Sequence, residues 1–323
     1  MRFLVKVLIA FGAVVGCAAS NAQPEGDFPD KPIRIIVPFS AGSAPDMFTR
    51  FVGQKLQADL KQTVVIDNRP GAGGVLGVSL IAKSPADGYT LGYVSTPQIG
   101  LKYLMKQLPF DLDRDLRPVQ LIGIVPQVLV VSTESSYKNI ADFLQKAPSA
   151  KNLNYGSGGI GSPAHLAGEV LSQGAKLNAT HVAYKGSPES LNGLMGGQLT
   201  YVVTTISTAV PLAKSGKVRL LAVTSSKRND LLPEVPTLAE SMPNGMVFDT
   251  FGMLMTPTQT PDAIVEKLSA SLQRVMKDPA TLDFFRSSGA SVETQPTASL
   301  PGYIKAEEHK LSKWIHAAGL KPE

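Results

Sequence analysis

The feature that most restricts the fold is a repeated alternation of short β-branched runs with stretches of helical apolar spacing. Ile33-Arg34-Ile35-Ile36-Val37 reads as a strand stopped by Pro38. Residues 46–60 follow, with Phe48, Phe51, Val52, Leu56 and Leu60 near helical spacing. Val64-Val65-Ile66, a helix over 74–82 and a strand over 91–94 continue the pattern. Strand–helix–strand–helix–strand implies right-handed crossovers and a mostly parallel sheet with helices on both faces.

The same rhythm restarts after a long apolar run over 121–131. Strands are expected at 153–155, 181–184, 201–205 and 218–223, with helices at 140–147, from Pro163, at 188–195 and at 209–214. A strand over 251–255 then gives way to helices, with Ile264, Leu268, Leu272 and Val275 on one stripe and Ile304, Leu311 and Ile315 on a looser one. These last helices have no core of their own, so they are expected to pack on the first lobe. The chain of 323 residues is long enough for two cores. The expectation is two α/β lobes, each a mostly parallel sheet flanked by helices, joined by a two-connection hinge. Lobe 1 is discontinuous, 23–124 and 251–323, and lobe 2 is 125–250.

Residues 1–22 read as an export signal. Arg2 gives a positive start, Val7 to Gly16 an apolar stretch too short to span a bilayer, and Ser20-Asn21-Ala22 a small-residue cleavage site. Val14-Val15-Gly16-Cys17 competes with it as a lipoprotein processing box. The small-residue site is favoured because it follows directly. With one cysteine no disulfide is available within a chain, so packing must supply stability. The expected location is the periplasm, as a monomer. Net charge is +5, or +3 without Arg2 and Lys6, and no basic run alternates with aromatics, which argues against nucleic acid.

Ligands of open α/β sheets bind at the turns from strand to helix, where helix N-termini offer unpaired N–H groups to anions. Three such turns are built from small residues. Ser40-Ala41-Gly42-Ser43-Ala44-Pro45-Asp46 follows the first strand, with Ser43 and Asp46 at capping-box spacing. Gly156-Ser157-Gly158-Gly159-Ile160-Gly161-Ser162 precedes Pro163, with Ser162 as the expected cap. Gly186-Ser187-Pro188 repeats the serine-then-proline order. Candidate ligand residues are thus Ser40, Ala41, Gly42, Ser43 and Asp46 in one lobe and Ser157, Gly158, Gly161 and Ser162 in the other. Tyr93, Ser95 and Thr96 end the third strand, and Thr204 ends a strand of the second lobe, so Ser95, Thr96 and Thr204 join the set.

Other chemistries fit poorly. Ser162, His165 and Asp46 contain the residue types of a hydrolytic triad, but Gly159-Ile160-Gly161-Ser162-Pro163 is not a nucleophile elbow. His165 is read as a local hydrogen-bonding or cleft-lining residue. His165, His181, His309 and His316 are dispersed, so no metal site is expected, and no cofactor. Gly71-Ala72-Gly73-Gly74 has glycines but not the spacing or the lysine of a phosphate loop. Arg69 offers a guanidinium that can pair with a carboxylate ligand, but bridging loop carbonyls is the favoured reading, and Trp314 is read as packing.

Several strings carry a family resemblance. These are Phe28-Pro29-Asp30-Lys31-Pro32-Ile33-Arg34, Val37-Pro38-Phe39, Asp67-Asn68-Arg69-Pro70-Gly71-Ala72-Gly73-Gly74 and Pro85-Ala86-Asp87-Gly88-Tyr89-Thr90-Leu91. Later come Asn154-Tyr155-Gly156-Ser157, His165-Leu166-Ala167-Gly168-Glu169, Tyr184-Lys185-Gly186-Ser187, Leu221-Ala222-Val223-Thr224-Ser225 and Leu232-Pro233-Glu234-Val235-Pro236-Thr237. Over essentially the whole region after the leader the chain resembles the substrate-binding proteins of tripartite tricarboxylate transporters, the Bug or TctC family. The resemblance implies a periplasmic-binding-protein-like (Venus flytrap) fold and a small organic acid held between the first strand–helix loop and the Gly/Ser loop. It also implies delivery to membrane permease subunits, and it adds Phe39 and Lys185 to the ligand-binding set. A ligand-presenting sensor subunit would share the same pocket. Two departures bear on the ligand. The first loop, usually Pro-Pro-Gly-Gly-Gly-Thr-Asp, contains Pro45, which removes one N–H donor. Thr200 and Thr204 stand where relatives often carry Asp, which favours a plain carboxylate or aromatic acid over an amino acid.

Overall fold

The computed structural model describes residues 28–242 and 245–317. The leader, Cys17 and both processing sites lie outside the described residues. The first stretch runs β1 (Ile33–Val37), α1 (Ala44–Leu60), β2 (Val64–Asn68), α2 (Val75–Ala82), β3 (Thr90–Ser95), α3 (Thr96–Leu104) and the single turn α4 (Leu112–Asp115). The 17-residue β4 (Leu116–Ser132) leads to α5 (Ile140–Lys146), β5 (Leu153–Ser157), α6 (Pro163–Gly174), β6 (Ala179–Ala183) and α7 (Ser187–Met195). β7 (Tyr201–Thr205), α8 (Ile206–Lys214), β8 (Val218–Val223) and α9 (Leu238–Ser241) complete the second stretch. β9 (Asp249–Pro257), α10 (Asp262–Lys277), α11 (Pro279–Ser287) and α12 (Leu300–Ala317) end the chain.

The strands lie in the order β2-β1-β3-β9-β4-β7-β5-β6, with β8 also paired to β4. β1 is parallel to β2 and β3, and β5 is parallel to β6 and β7. β9 runs against its neighbours in the first half, and β4 runs against its neighbours in the second. Each half is therefore mostly parallel with one reversed strand. Alternation along β1 places Ile33, Ile35 and Val37 against α1 (Phe48, Val52), while Ile36 faces α2 (Val78, Ile81). In the second half, Leu129 and Val131 of β4 pack with α6, while Val128 and Val130 pack with α7 and α8. Period-two side-chain placement thus gives each half two apolar faces, each covered by helices.

β4 is longer than the apolar run suggests, because it serves both halves. Its first part pairs with β9 as far as Pro126↔Asp249, and its last part pairs with β7 from Gln127↔Thr205. Pro126 has no N–H to donate and sits where the ladder exchanges partners. The chain returns beside it at β9, so the two crossings between the halves lie side by side.

The last helices pack on the first half, and α12 reaches the second half as well. α10 and α11 do pack on the first half, through Val265, Leu268, Leu272 and Phe285. In α12, Leu300 and Ile304 join the first-half core with Ile36 and Met253. Leu311 and Ile315 lie against Gly100 of α3, still in the first half, and are also buried with Tyr155 and Leu166 of the second. An 18-residue helix is about 27 Å long, enough to reach across both bodies. Trp314 packs on Phe248, with ring centroids 5.1 Å apart.

Candidate functional site

Four strand-to-helix turns face one another across the two halves and enclose a cavity of about 620 Å³. The first half supplies Phe39, Ser40 and Ser43 from the β1–α1 turn and 70–74 from the β2–α2 turn. The second half supplies Gly158 and Ser162 from the β5–α6 turn and 184–187 from the β6–α7 turn. Gln127 and Thr205, at the start of the β4–β7 ladder, also line it. The walls are largely apolar, with Pro38, Phe39, Ala44, Ile160 and Ala164 among them.

The halves meet on both sides of this cavity. Ser40 Oγ donates to the Lys185 carbonyl at 3.2 Å. A Cβ on Gly73 would lie 2.5 Å from the Ile160 carbonyl oxygen, so only glycine permits that approach, and its φ of +64° also requires one. The chain is thus in a closed arrangement.

The β1–α1 loop is held from behind by Asp46. Its carboxylate accepts from Gly42 N–H at 2.9 Å, from Asn68 Nδ2 at 2.8 Å and from Arg50 Nε at 2.9 Å. Burial pushes the Asp46 carboxyl up, but the Arg50, Gly42 and Asn68 hydrogen bonds outweigh it and hold it below the usual value. Asp46 is 3% exposed and does not line the cavity, and Gly42 spends its N–H on that carboxylate. The capping box is not formed: Ser43 Oγ donates instead to the Ser40 carbonyl at 2.7 Å. Ala41 is exposed outside the cavity.

The β5–α6 loop has a layered support. Ser162 caps α6 by accepting from His165 N–H at 3.3 Å, with Pro163 in the first turn. Ser157 is fully buried beneath the loop; its Oγ accepts from Gly159 N–H at 3.1 Å and shares a 2.6 Å hydrogen bond with His181 Nε2. Gly161 N–H donates to His165 Nδ1 at 3.1 Å. The two imidazoles lie with centroids 4.2 Å apart. Burial lowers both, His165 to about 4 with a further push from His181, and His181 to about 4. Ser157, Gly161 and His165 therefore sit behind the cavity wall rather than on it. Ser187 does not repeat the Ser162 cap: α7 begins at Ser187 itself, with Gly186 at the N-cap and no side-chain cap.

Three further candidates point elsewhere. Ser95 N–H and Oγ both donate to Gln98 Oε1, at 3.0 and 2.7 Å. Thr96 Oγ1 accepts from Phe251 N–H at 3.0 Å and borders a separate cavity beside α12. Thr204 Oγ1 bonds Thr208, and its neighbour Thr205 is the one that faces the cleft. The hydrolytic constellation does not assemble, since Asp46 is committed to Arg50, Asn68 and Gly42, and His165 Nδ1 to Gly161. Arg69 does not bridge carbonyls; its Nε pairs with Asp67 at 2.9 Å.

Sequence reasoning passed over the β2–α2 turn, although it obeys the same strand-to-helix rule. Gln98, fully buried on α3, donates from Nε2 to the Gly73 carbonyl at 3.1 Å and so props that turn. At the cavity, Lys185 and Glu189 are exposed and make no ion pair among the described residues. No group of His, Cys, Asp and Glu among the described residues is arranged to hold a metal. No helix among them is long and apolar enough to cross a membrane.

Comparison with known proteins gives concordant results. Residues 48–320 match the family described as tripartite tricarboxylate transporter family receptor. Protein BugT of Bordetella pertussis is 31% identical over 325 residues, covering 98% of this chain and 99% of that protein. Rpa4515 of R. palustris, solved with adipate, superposes with a TM-score of 0.88 at 30% identity, covering 92% of this chain and all of that one. MatC from Rhodopseudomonas palustris, solved with malate, superposes at 0.83 with 27% identity, covering 90% of this chain and all of that one. The fold is shared with periplasmic binding proteins, two-lobed and α/β.

Proposed function

Because the chain belongs to the tripartite tricarboxylate transporter family of receptors, we propose that it captures a small organic carboxylate in the inter-lobe cleft and delivers it to a membrane permease. The division into lobes is taken at 124/125 and 250/251, beside the partner exchange of β4 at Pro126. The observation that carries the reading is a cavity of about 620 Å³ walled by helix-initiating loops from both halves, with the halves touching at Ser40–Lys185 and Gly73–Ile160. A guest that bridges such loops binds the closed form better than the open one, and only that difference in affinity moves the population.

Within the cleft, the α6 N-terminus and Lys185 favour negative charge. Adipate and malate in two neighbours make carboxylates the first class to try. The apolar share of the wall suits an aromatic or extended carbon skeleton. The residues proposed to touch the ligand are Phe39, Ser40, Ser43, Gly158, Ser162 and Lys185, joined by Gly73, Gln127 and Thr205. Export to the periplasm by residues 1–22 belongs to the same proposal.

A thermal-shift panel of mono-, di- and tricarboxylates tests the first half of the proposal. One or more should stabilise the fold by about 2.7 kcal/mol at a hundredfold excess over Kd, and Ser162→Trp should abolish the shift without unfolding the free protein. A panel with no stabiliser, or an unaffected Ser162→Trp, places the pocket elsewhere. Uptake of the stabilising acid by cells lacking the gene tests delivery; undiminished uptake would remove the transport role.

A further inference from the structure

Behind the β5–α6 loop lie two histidines that the capture reading does not use. His165 is on α6 and His181 on β6, and each is tied to the loop by one hydrogen bond. His165 Nδ1 accepts from Gly161 N–H, and His181 Nε2 bonds Ser157 Oγ, which in turn accepts from Gly159 N–H. Ser157 and Gly161 are the two ends of the turn, so the pair fixes both. The face of the turn opposite the histidines carries Gly158 and Ser162 into the cavity.

The first bond needs His165 without a proton on Nδ1, because Gly161 offers a donor there; a charged imidazole would place two N–H groups face to face. Of the titratable groups facing the pair, one carboxylate lies at ion-pair distance and favours a charged His165, against the burial of the ring. Glu169, on α6, has Oε1 4.0 Å from His165 Nε2, beyond hydrogen-bond reach, and that oxygen already accepts from Tyr155 OH on β5 at 2.5 Å. Tyr155 stacks on His181 at 5.0 Å and on Tyr201 of β7 at 5.4 Å, and Tyr201 OH is bonded to Ser172. Each ring is therefore the other's like-charged neighbour once protonated, at 4.2 Å in a buried site.

We propose that His165 and His181 are positioning residues for capture: they hold the Ser157–Ser162 loop in its ligand-facing shape, and protonation of His165, which breaks its bond to Gly161 N–H, releases the loop. Acid then weakens ligand binding through the wall of the cleft, without a titrating group inside it. The burial that keeps both rings near pKa 4 sets the range, with the loop held at neutral pH and freed as pH approaches 4. The capture half of this inference rests on the cleft function proposed above; the loop half does not.

The test compares the protein with a non-titrating double variant, His165→Asn with His181→Gln, in which amide oxygens stand near the positions of Nδ1 and Nε2. A His165→Leu variant, which offers no acceptor, is the third member. In the unliganded protein, amide exchange protection of residues 159–162 should be lost between pH 6.5 and 4. The double variant should keep it over that range, and His165→Leu should lack it already at pH 7 while retaining a cooperative melt. Adipate and malate affinities, measured by calorimetry over the same range, should fall about tenfold further in the protein than in the double variant, a difference of about 1.4 kcal/mol. The ligands' own protonation is common to both and cancels. Equal pH dependence of loop protection in the protein and the double variant would overturn the proposal. Equal loss of affinity would overturn its capture half. If no acid of the carboxylate panel binds any of the three proteins, the cleft reading fails and the exchange data still decide the loop.

Discussion

Asp46 shows how a single side chain can matter to a site it does not touch. Asp46→Ala would remove the acceptor of Gly42 N–H and of one Asn68 Nδ2 hydrogen, the other staying on the Phe39 carbonyl, at a cost of about 1 kcal/mol, most of it from the hydrogen bonds, because Arg50 is half exposed and its ion pair is screened. Since the folded carboxyl lies below its unfolded value, this stabilisation is complete above the ordinary Asp range and fades as pH falls through the folded value. Urea melts of Asp46→Ala and the parent should therefore differ at pH 7 and converge in strong acid. The histidine pair has the same direction in a higher window. With folded values near 4 against an unfolded 6.5, it loses stabilisation as pH drops from 6.5 toward 4. Local rules made some residues readable: Ser162 caps because a serine before proline at a helix start has few competing bonds. Ser43 did not follow that rule, because the left-handed Gly42 (φ +78°) brings the Ser40 carbonyl within reach of its hydroxyl. The Ser157–His181 contact depends on the β5–β6 register, which pairs Tyr155 with His181, and no local pattern encodes a register between parallel strands.

At the scale of elements, the strand-to-helix turns carried most of the site, and alternation along the chain carried most of the fold. The facing of strand ends was not legible. Ser95 and Thr96 are at the end of β3, as read, but pairing with β9 directs Thr96 to the Phe251 amide and away from the cleft. Thr204 and Thr205 differ by one position, which in a strand is a change of face. Two predictions belong here. Gly73→Ala should slow closure, since its Cβ would meet the Ile160 carbonyl at 2.5 Å. Its carboxylate affinity should drop more than tenfold, roughly the effect of 1.4 kcal/mol, beyond the cost of about 1 kcal/mol that a left-handed alanine adds to the melt without ligand; unchanged affinity would show that the two loops need not touch. Asp249 opens β9 opposite Pro126, with Oδ1 buried and unpartnered. Burial, then Glu307 and Glu293, raise its carboxyl to about 6. A raised folded value means that this group favours the fold below pH 3.8 and loses that benefit as pH climbs through 6. Asp249→Asn should accordingly raise the melting temperature at pH 7 and have little effect at pH 4.

For the whole molecule, the division into two halves was readable because each half repeats the α/β rhythm, whereas the continuity between them was not. β4 looks like a restart in sequence and is a shared strand in space; α12 looks like an ordinary amphipathic tail and is a bridge. Leu311, 3% exposed among second-half residues, is the side chain to test. Leu311→Ala should cost about 2–5 kcal/mol by leaving a void. It should also enlarge the radius of gyration of the unliganded protein in small-angle scattering, and an identical radius would mean that α12 does not restrain the halves. A helix that lies on one body and reaches the other at its far end ties the back of the jaws together. Opening that parts Leu311 and Ile315 from Tyr155 and Leu166 gives up their buried apolar surface. Little of a guest's binding energy is then spent recovering jaws that have strayed far apart.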